Sequence, residues 1–208
     1  MNLLELQGVH THVGAYHILH GVDLVVPRGQ LTMLLGRNGA GKTTTLRTIM
    51  GLWRASQGRI SFGGQDITQA ATPQIAGRGI AYVPENMGIF SDLTVKENMV
   101  LAAHAAKSAG QIDSARLQWI FSLFPAVEKF WNHPAGKLSG GQKQMLAVSR
   151  AIVEPRELLI IDEPMKGSTI SASTGTRASG FQSRSFQFIR KPPRCALRHS
   201  PWERPGGS

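Results

Sequence analysis

Short apolar runs separated by glycine-containing turns dominate the first 85 residues, a pattern typical of β-strands joined by tight turns. The run Leu31–Leu35 stops at Gly36, and its length and flanking glycines favour a buried strand. The turn sequence Pro27-Arg28-Gly29 separates this run from an earlier β-branched one. We expect strands at 22–26, 31–35, 58–68 and 78–83.

Helical spacing replaces this pattern at 43–52 and again across 94–153. Thr94 and Glu97 match a capping box, in which each side chain bonds the backbone N–H of the other residue. Later helices place apolar residues on one side: Leu117, Ile120, Phe121 and Phe124, and then Met145, Val148 and Ile152. The apolar run Leu158–Ile161 is the strongest buried-strand signal in the chain.

Composition and charge change most at the C-terminus. After Gly167 the sequence is rich in Ser, Thr, Arg and Gly and loses periodicity, which predicts disorder for 168–208. This segment holds seven of the 23 Arg and Lys residues and one acid, Glu203, so it carries +6 of the formal net charge of +10. The rest of the chain is only mildly basic, and the total charge is therefore a weak indication of an anionic partner.

Size and cysteine content limit the class of protein. A chain of 208 residues suits one domain, or one domain with a subdomain. The single cysteine, Cys195, allows no internal disulfide and favours a reducing cytosol. The N-terminus lacks the features of a secretory signal, and no apolar run reaches the ~20 residues that span a bilayer. We expect any membrane role to be peripheral, through a partner protein.

The segment after Leu31–Leu35 matches the phosphate-binding loop (P-loop) pattern at every fixed position. It reads Gly36-Arg37-Asn38-Gly39-Ala40-Gly41-Lys42-Thr43-Thr44. The glycines allow backbone N–H groups to turn toward an anion, and the N-terminus of the following helix adds its dipole. Lys42 can reach the β- and γ-phosphates of ATP, and the Thr43 hydroxyl can bind Mg²⁺. The pattern therefore predicts a site for ATP and Mg²⁺.

Two further motifs complete such a site. Asp162 ends the last apolar run and is a candidate to hold Mg²⁺, usually through water, while Glu163 is a candidate general base or water-positioning group. A second phosphate-binding surface is predicted at a helix start, Leu138-Ser139-Gly140-Gly141-Gln142, where serine and glycines expose backbone N–H groups. Each motif alone has a structural interpretation, an acidic strand end or a helix cap. Because a P-loop is present in the same chain, we favour a functional role over the structural one for both motifs. Lys42 and Glu163 are the catalytic candidates.

These three motifs, in this order, resemble the ATP-binding subunit of ABC transporters over residues 3–167. Within that family, the P-loop and two further segments resemble importers of branched-chain amino acids or urea, namely Val83-Pro84-Glu85-Asn86 and 88–98. The resemblance implies an α/β P-loop NTPase fold. Its ATP-binding core would comprise 1–85 and 146–167, and its helical subdomain 86–145.

The resemblance also implies partners. Two subunits, identical or related, would form a head-to-tail dimer, with each ATP between the P-loop of one subunit and the Ser139 turn of the other. The helical subdomain would dock on a membrane permease at the cytoplasmic face of the inner membrane. ATP would close the dimer and hydrolysis would open it, which couples the nucleotide to transport.

The sequence departs from the family pattern at three places. Glu85 stands where many members have a glutamine near the metal, although branched-chain-type subunits resemble this chain there. Val13 replaces an aromatic residue that stacks on adenine, and Tyr16 either takes over the stacking or packs against the sheet. After Pro164 the family's helix, strand and switch histidine do not follow, and His199 lacks a preceding strand.

The third departure suggests a shift of reading frame near codon 167, which the coding DNA would reveal. The missing family strand lies between the P-loop strand and the Asp162 strand, so its loss leaves backbone groups unpaired in the core. Each unmade bond costs ~1–3 kcal/mol against a domain stability of ~5–15 kcal/mol. Segment 185–190 matches a central strand poorly. The alternative to a transport ATPase is therefore an ATP-binding chain with weak or absent hydrolysis.

A nucleic-acid-binding protein is the alternative from another class. The tail combines basic residues with Phe181, Phe186 and Phe188, aromatic side chains of the kind that stack on bases. Frameshifted polypeptide is often basic, so the charge favours this alternative only weakly. A steep salt dependence of DNA or RNA binding, lost on deleting 168–208, would support it.

Overall fold

The computed structural model describes residues 1–105 and 112–163, together with the backbone of a strand at Gln182–Phe186. Strands and helices mix along these residues, which confirms the α/β class. The described strands are β1 Asn2–Val13, β2 Tyr16–Pro27, β3 Leu31–Leu35, β4 Ala55–Phe62, β5 Gln65–Asp66, β6 Ile80–Val83, β7 Leu158–Ile161 and β8 Gln182–Phe186. The described helices are α1 Lys42–Ile49, α2 Thr72–Gly77, α3 Val95–Ala105, α4 Ser114–Leu123, α5 Pro125–Lys129 and α6 Gly140–Ala151, with a 3₁₀ turn at Ala135–Lys137.

An antiparallel sheet in the order β2-β1-β4-β5 forms one wall of the core. β1 alternates between buried residues such as Leu4 and Leu6 and exposed residues such as Gln7, as expected of a strand with one face against the core. The buried face packs with α1, α2 and the strands β6 and β7 into one hydrophobic cluster. This cluster supports the loop between β3 and α1.

Gly58 lies where two strands approach closely, so a side chain there would be strained. Gly58 has φ +84, and a Cβ built there would overlap the carbonyl of Gly8 and lie 2.6 Å from Gln7 O. Because the obstruction is backbone and the φ disfavours L side chains, we expect Gly58→Ala to lower the free energy of unfolding by about 3 kcal/mol.

Urea unfolding followed by circular dichroism measures this effect. Gly29→Ala is the matched control, because Gly29 also has positive φ, +75, but open space around its Cβ position. That control should cost about 1 kcal/mol from backbone strain alone. Equal losses for the two variants would contradict the packing argument.

The strands on the other side of the core form two separate pairs. β6 and β7 are parallel, in register from Ile80↔Leu158 to Val83↔Ile161. β3 pairs antiparallel with β8, from Leu31↔Phe186 to Leu35↔Gln182. Five residues of the segment expected to be disordered therefore form a strand, which corrects that expectation for 182–186. The rest of that tail, with Cys195 and His199, lies outside the described residues.

A cavity of about 490 Å³ lies between β3 and β7. Its walls include Thr32–Leu35 on one side and Leu158–Glu163 on the other. The expectation that β3 is buried was wrong, since Leu31 and Leu35 are 42% and 48% exposed, and β7 is only partly buried. The physical reason is that no described strand joins β3 to β7. The buried Thr32 hydroxyl has no hydrogen-bond partner among the described residues.

The helices α3 to α6 enclose a second hydrophobic cluster. The predicted capping box at Thr94 and Glu97 is confirmed, with Thr94 N and Oγ1 both donating to Glu97 Oε2 at 2.7 Å. The predicted face of α4 is also confirmed. Ile120 and Phe121 are buried, and Leu117 and Phe124 pack against the same cluster. In α6 the buried residues are Leu146, Ala147 and Ser149, whereas Met145 is 38% exposed. The described helices include none that is both long and apolar enough to cross a membrane.

Candidate functional site

The P-loop connects β3 to α1 and depends on two left-handed glycines. Gly39 has φ +83 and Gly41 has φ +86, a backbone region in which other residues are strained. Gly41 directly precedes α1, so the turn it makes sets the direction of the first N–H groups of the helix. A Cβ at Gly41 would also lie 2.9 Å from the Leu19 side chain, so β2 packs closely beneath the loop. The start of α1 therefore lies where the sequence predicts the anion cradle.

Lys42 folds over its own loop. Its Nζ donates to the carbonyl oxygens of Gly36 at 2.9 Å and Arg37 at 3.0 Å. The residues from Gly36 to Ala40 are exposed, so both carbonyls can exchange this donor for water. The ammonium group is therefore held at the mouth of the cradle and can turn toward a phosphate at little cost.

Asp162 meets the P-loop helix at a partly buried hydrogen bond. Thr43 Oγ1 donates to Asp162 Oδ1 at 3.0 Å, and Tyr82 Oη donates to Asp162 Oδ2 at 3.1 Å. The Asp162 residue is only 3% exposed. Burial is the largest influence on Tyr82 and raises the pKa of its phenol, and the nearby Arg47 guanidinium opposes that rise. Tyr82 therefore stays protonated and remains a donor that orients the carboxylate.

This arrangement fits a hydrated Mg²⁺ ion. Mg²⁺ prefers hard oxygen ligands. The hydrogen bond of 3.0 Å places a hydroxyl oxygen of Thr43 and a carboxylate oxygen of Asp162 side by side at the start of α1. No group of three or more His, Cys, Asp or Glu in the described part of the chain is arranged for a metal ion. One carboxylate and one hydroxyl are what a metal bound largely through phosphates and water requires.

The two glutamates lie at the same end of neighbouring strands. Asp162 N donates to Val83 O at 2.9 Å, so the parallel pairing of β6 and β7 continues just past their ends. Glu85 follows β6 and Glu163 follows β7, which brings both residues to the edge where Asp162 lies. Glu163 is exposed and has φ +50, a left-handed conformation that is uncommon outside glycine and recurs at functional sites.

The Ser139 turn forms a second exposed helix start. Ser139 Oγ accepts from Gln142 N at 3.3 Å and Gln142 Oε1 accepts from Ser139 N at 2.9 Å, a reciprocal capping box. Gly140 and Gly141 are exposed, with open space where side chains would stand. No hydrogen bond joins this turn to the P-loop within residues 1–105 and 112–163. The turn lies instead on the second hydrophobic cluster, so the described chain does not bring these two predicted surfaces together.

Tyr16 lies at the tip of the β1–β2 hairpin and is 75% exposed. It is paired with Val13, and that pair is on the same face as Thr11 and Leu19. Leu19 is the residue that packs beneath Gly41, so Tyr16 is on the P-loop side of the hairpin. Packing of its ring into the sheet is not seen, because most of the side chain is open to solvent.

Sequence reasoning missed two contributors to this region. Tyr82 orients Asp162 through its hydroxyl. The sequence feature that could have indicated this role is a hydroxyl group within the otherwise apolar run Ile80–Val83. Arg150, on α6, donates to Gly88 O and lies with its guanidinium 5.3 Å from the Phe90 ring centre. It therefore links the helix that begins at Ser139 to the segment that follows Glu85. No pattern in the sequence indicated this contact.

A family model described as ABC transporter matches residues 19–166. The chain belongs to this family. The resemblance drawn from the three motifs is confirmed, and the family's members are transport ATPases.

Individual relatives differ in what their names say they transport. A high-affinity branched-chain amino acid transport ATP-binding protein, BraG of Pseudomonas aeruginosa, is 36% identical over 166 residues, which is 79% of this chain and 70% of BraG. A sulfate/thiosulfate import ATP-binding protein, CysA 2 of Shewanella oneidensis, is 34% identical over 165 residues, 77% of this chain and 46% of that protein. The chain thus spans between 46% and 70% of the length of these relatives.

A solved structure agrees with the fold. The ADP conformation of MJ1267, an ATP-binding cassette of an ABC transporter, has a TM-score of 0.68 and 25% identity. The likeness covers 81% of this chain and 71% of that one. The P-loop NTPase fold expected for residues 3–167 is therefore confirmed for the described core.

Proposed function

We propose that this chain is the ATP-binding subunit of an ABC importer and binds ATP with Mg²⁺ at the P-loop. The observation that carries the proposal is the Thr43–Asp162 hydrogen bond of 3.0 Å beneath the anion cradle. A hydroxyl and a carboxylate there offer the hard oxygen ligands that Mg²⁺ prefers. The ion, when bound, would neutralise charge on the β- and γ-phosphates.

Each residue then has a definite task. The backbone from Gly36 to Lys42, with Thr44 at the helix start, holds the phosphates, and Lys42 exchanges its loop carbonyls for phosphate oxygens. Tyr16, exposed on the P-loop side of the hairpin, supplies a ring for adenine. Glu163 orients or deprotonates the attacking water, with Glu85 at the adjacent strand end.

The Ser139 turn serves the nucleotide of a second subunit. Its exposed N–H groups and the open space at Gly140 and Gly141 suit a phosphate brought by another molecule. We infer a head-to-tail dimer, of identical or related subunits, in which ATP lies between the two chains. Such shared binding favours the closed dimer, since ATP then contacts both subunits only in that state.

The assembly is proposed to include membrane permease subunits, with this chain peripheral at the cytoplasmic face of the inner membrane. The helices of the second cluster would supply the docking surface. Branched-chain amino acids are the proposed cargo, supported by the likeness to BraG at 36% identity. Sulfate is the competing cargo, because CysA 2 is 34% identical.

A second candidate, nucleotide binding without turnover, is favoured by the cavity between β3 and β7. This cavity separates the strand before the P-loop from the strand before Asp162. Catalysis needs phosphate and water held within a fraction of an ångström, and no described strand ties together the two strands that support them.

Parallel measurement of binding and turnover tests both candidates on the full chain. Calorimetry with ATP and Mg²⁺ should detect binding, while phosphate release should stay below about 1 s⁻¹, the low end of ordinary turnover numbers. BraG purified in the same way is the active control. Faster release that requires Lys42 would remove the second candidate, and absence of ATP binding by a folded chain would remove both.

A further inference from the structure

Four histidines gather near the tip of the β1–β2 hairpin. They are His10 and His12 on β1 and His17 and His20 on β2, and we call them the histidine cluster. His12 and His17 are direct partners across the strands, and His10, two residues from His12, shares their side of β1. Thr11 faces the opposite way and bonds α1. The cluster therefore lies on the side of the hairpin that faces away from α1, at the last paired residues before the turn.

His17 contacts each of the other three rings. Its Nε2 lies 3.1 Å from His10 Nδ1, a hydrogen-bond distance. Its ring centre is 4.3 Å from that of His12, with the planes nearly parallel, and 3.9 Å from that of His20, with the planes inclined by 50°. A change at this one residue therefore alters every one of these contacts.

The His10–His17 pair can carry one positive charge but not two. A neutral imidazole has one N–H donor and one acceptor nitrogen, so one ring of the pair donates to the other. A protonated ring still donates to a neutral one. If both rings are protonated, both facing nitrogens carry hydrogen and the bond is lost. The two positive charges then also repel each other, with ring centres 5.2 Å apart.

The nearest polar neighbours of the cluster carry no negative charge. On β4, the strand on the other side of β1, Gln57 lies opposite His10. Ser56 Oγ of the same strand is 3.2 Å from His12 Nδ1. The phenol of Tyr16 stands next to the cluster in β2. These neighbours therefore supply no carboxylate to balance added protons.

The charged residues of the three adjoining strands are bonded elsewhere, lie at a distance or are themselves basic. Arg59 of β4 donates to Asp66 at 3.1 Å, and Asp23 of β2 accepts from a β1 backbone N–H at 2.7 Å. Glu5 lies near the opposite end of β1. Arg54, exposed directly before β4, is another cation. The main electrostatic neighbours of each histidine in the cluster are therefore the other histidines.

These surroundings make the closed hairpin tip sensitive to acid. Desolvation, followed by the charges of His20, His12 and His10, lowers the pKa of His17, and a backbone hydrogen bond at Leu19 opposes that effect. In an open tip the rings separate and return to the ordinary histidine pKa of about 6.5. Below that pH the open tip binds more protons than the closed tip, so the closed tip loses stability as the pH falls.

We propose that the histidine cluster is a proton-sensitive switch, which holds the tip of the β1–β2 hairpin closed at neutral pH and loosens it in acid. Tyr16 pairs with Val13 next to the His12–His17 pair, so opening also frees the ring of Tyr16. Weaker ATP binding in acid follows from this, a consequence that rests on the proposed contact of Tyr16 with adenine. The opening itself depends only on the histidines.

Hydrogen exchange of the full chain, read by mass spectrometry, tests the opening. Protection factors, already corrected for the intrinsic effect of pH, are compared for segment 11–20 at about pH 7.5 and about pH 5.5, on either side of the ordinary histidine pKa. One extra proton bound by the open tip changes the opening equilibrium tenfold per pH unit, so we expect protection to fall about tenfold. Segment 22–26, at the base of the hairpin and without histidine, should keep its protection.

His17→Gln removes the ring that contacts the other three but keeps a hydrogen-bonding side chain there. Its segment 11–20 should lose little protection in acid. His104→Gln is the matched control, because His104 is an exposed histidine on α3, and it should show the full tenfold loss expected from linkage. Circular dichroism checks folding, and His20→Gln, expected to show a smaller loss than the unchanged chain, serves if His17→Gln does not fold. The proposal is overturned if protection does not fall in the unchanged chain, or falls equally in His17→Gln.

ATP affinity in Mg²⁺, measured at the same two pH values, tests the link to the nucleotide. Phosphate groups take up protons in this range, so the ratio of the two affinities is compared between the unchanged chain and His17→Gln, which cancels that effect. We expect the acid-induced loss to be about threefold larger in the unchanged chain, because affinity falls with the closed fraction. Equal losses would overturn the link to Tyr16. Absence of ATP binding at both pH values would contradict the proposed function, while hydrogen exchange would still decide whether the switch exists.

Discussion

Removing the Lys42 ammonium group should weaken ATP binding by about ten- to a hundredfold. A hydrogen bond to a charged group contributes about 1.5–3 kcal/mol, and each 1.4 kcal/mol is a factor of ten in affinity. In the described structure Lys42 donates to Gly36 O and Arg37 O, both in the exposed loop. Water can replace the ammonium at these carbonyls in Lys42→Ala, so the loss should appear in nucleotide affinity and much less in stability.

Calorimetric titration with ATP and Mg²⁺ measures this affinity, and urea unfolding measures stability alongside it. Lys96→Ala is the matched control, because Lys96 is an exposed lysine in the first turn of α3 and its removal changes net charge equally. The control should bind ATP as tightly as the unchanged chain. Equal affinity of the two variants would show that phosphate is not bound at the P-loop.

Local signals in the sequence were sufficient for most of the fold. The strands β3, β6 and β7 and the helix α1 lie within two or three residues of their predicted bounds, because apolar runs and glycine turns are short-range features. The P-loop was equally recognisable, since its φ values require glycine at Gly39 and Gly41.

Burial was predicted less well, because it depends on what packs against an element. β3 reads as a fully buried strand, but its ends, Leu31 and Leu35, are exposed beside the cavity. On α6 the apolar residues Met145 and Leu146 are adjacent, so spacing alone does not choose the buried face, and the fold buries Leu146.

The site shows the same division between local pattern and long-range packing. Asp162 follows from its place after an apolar run, but the Tyr82 hydroxyl that orients it comes from a strand 80 residues earlier. The roles proposed for Glu163, Glu85, Tyr16 and the Ser139 turn stay predictions. Glu163 at a strand end and the Ser139 turn at a helix start lie where the sequence indicated, whereas the hairpin tip that carries Tyr16 was not predicted.

Neutralising Asp162 should remove most of the contribution of Mg²⁺ to ATP binding. Its carboxylate is 3% exposed and accepts from both Thr43 and Tyr82, so Asp162→Asn keeps the shape but loses the negative charge that attracts the ion. We expect the ratio of ATP affinity in Mg²⁺ to that in EDTA to fall by about tenfold or more, the scale on which changes at metal sites act.

Tyr82→Phe distinguishes the effect of the negative charge on Asp162 from the effect of its hydrogen bond to Tyr82. This variant loses one hydrogen bond to the same carboxylate, a cost of about 1 kcal/mol in stability, but keeps the charge and the Thr43 contact. Its Mg²⁺ dependence should remain close to that of the unchanged chain. If Asp162→Asn instead keeps the full Mg²⁺ dependence while Tyr82→Phe loses it, the metal lies elsewhere. The 3.0 Å contact between Thr43 and Asp162 would then be a structural hydrogen bond that ties α1 to the end of β7.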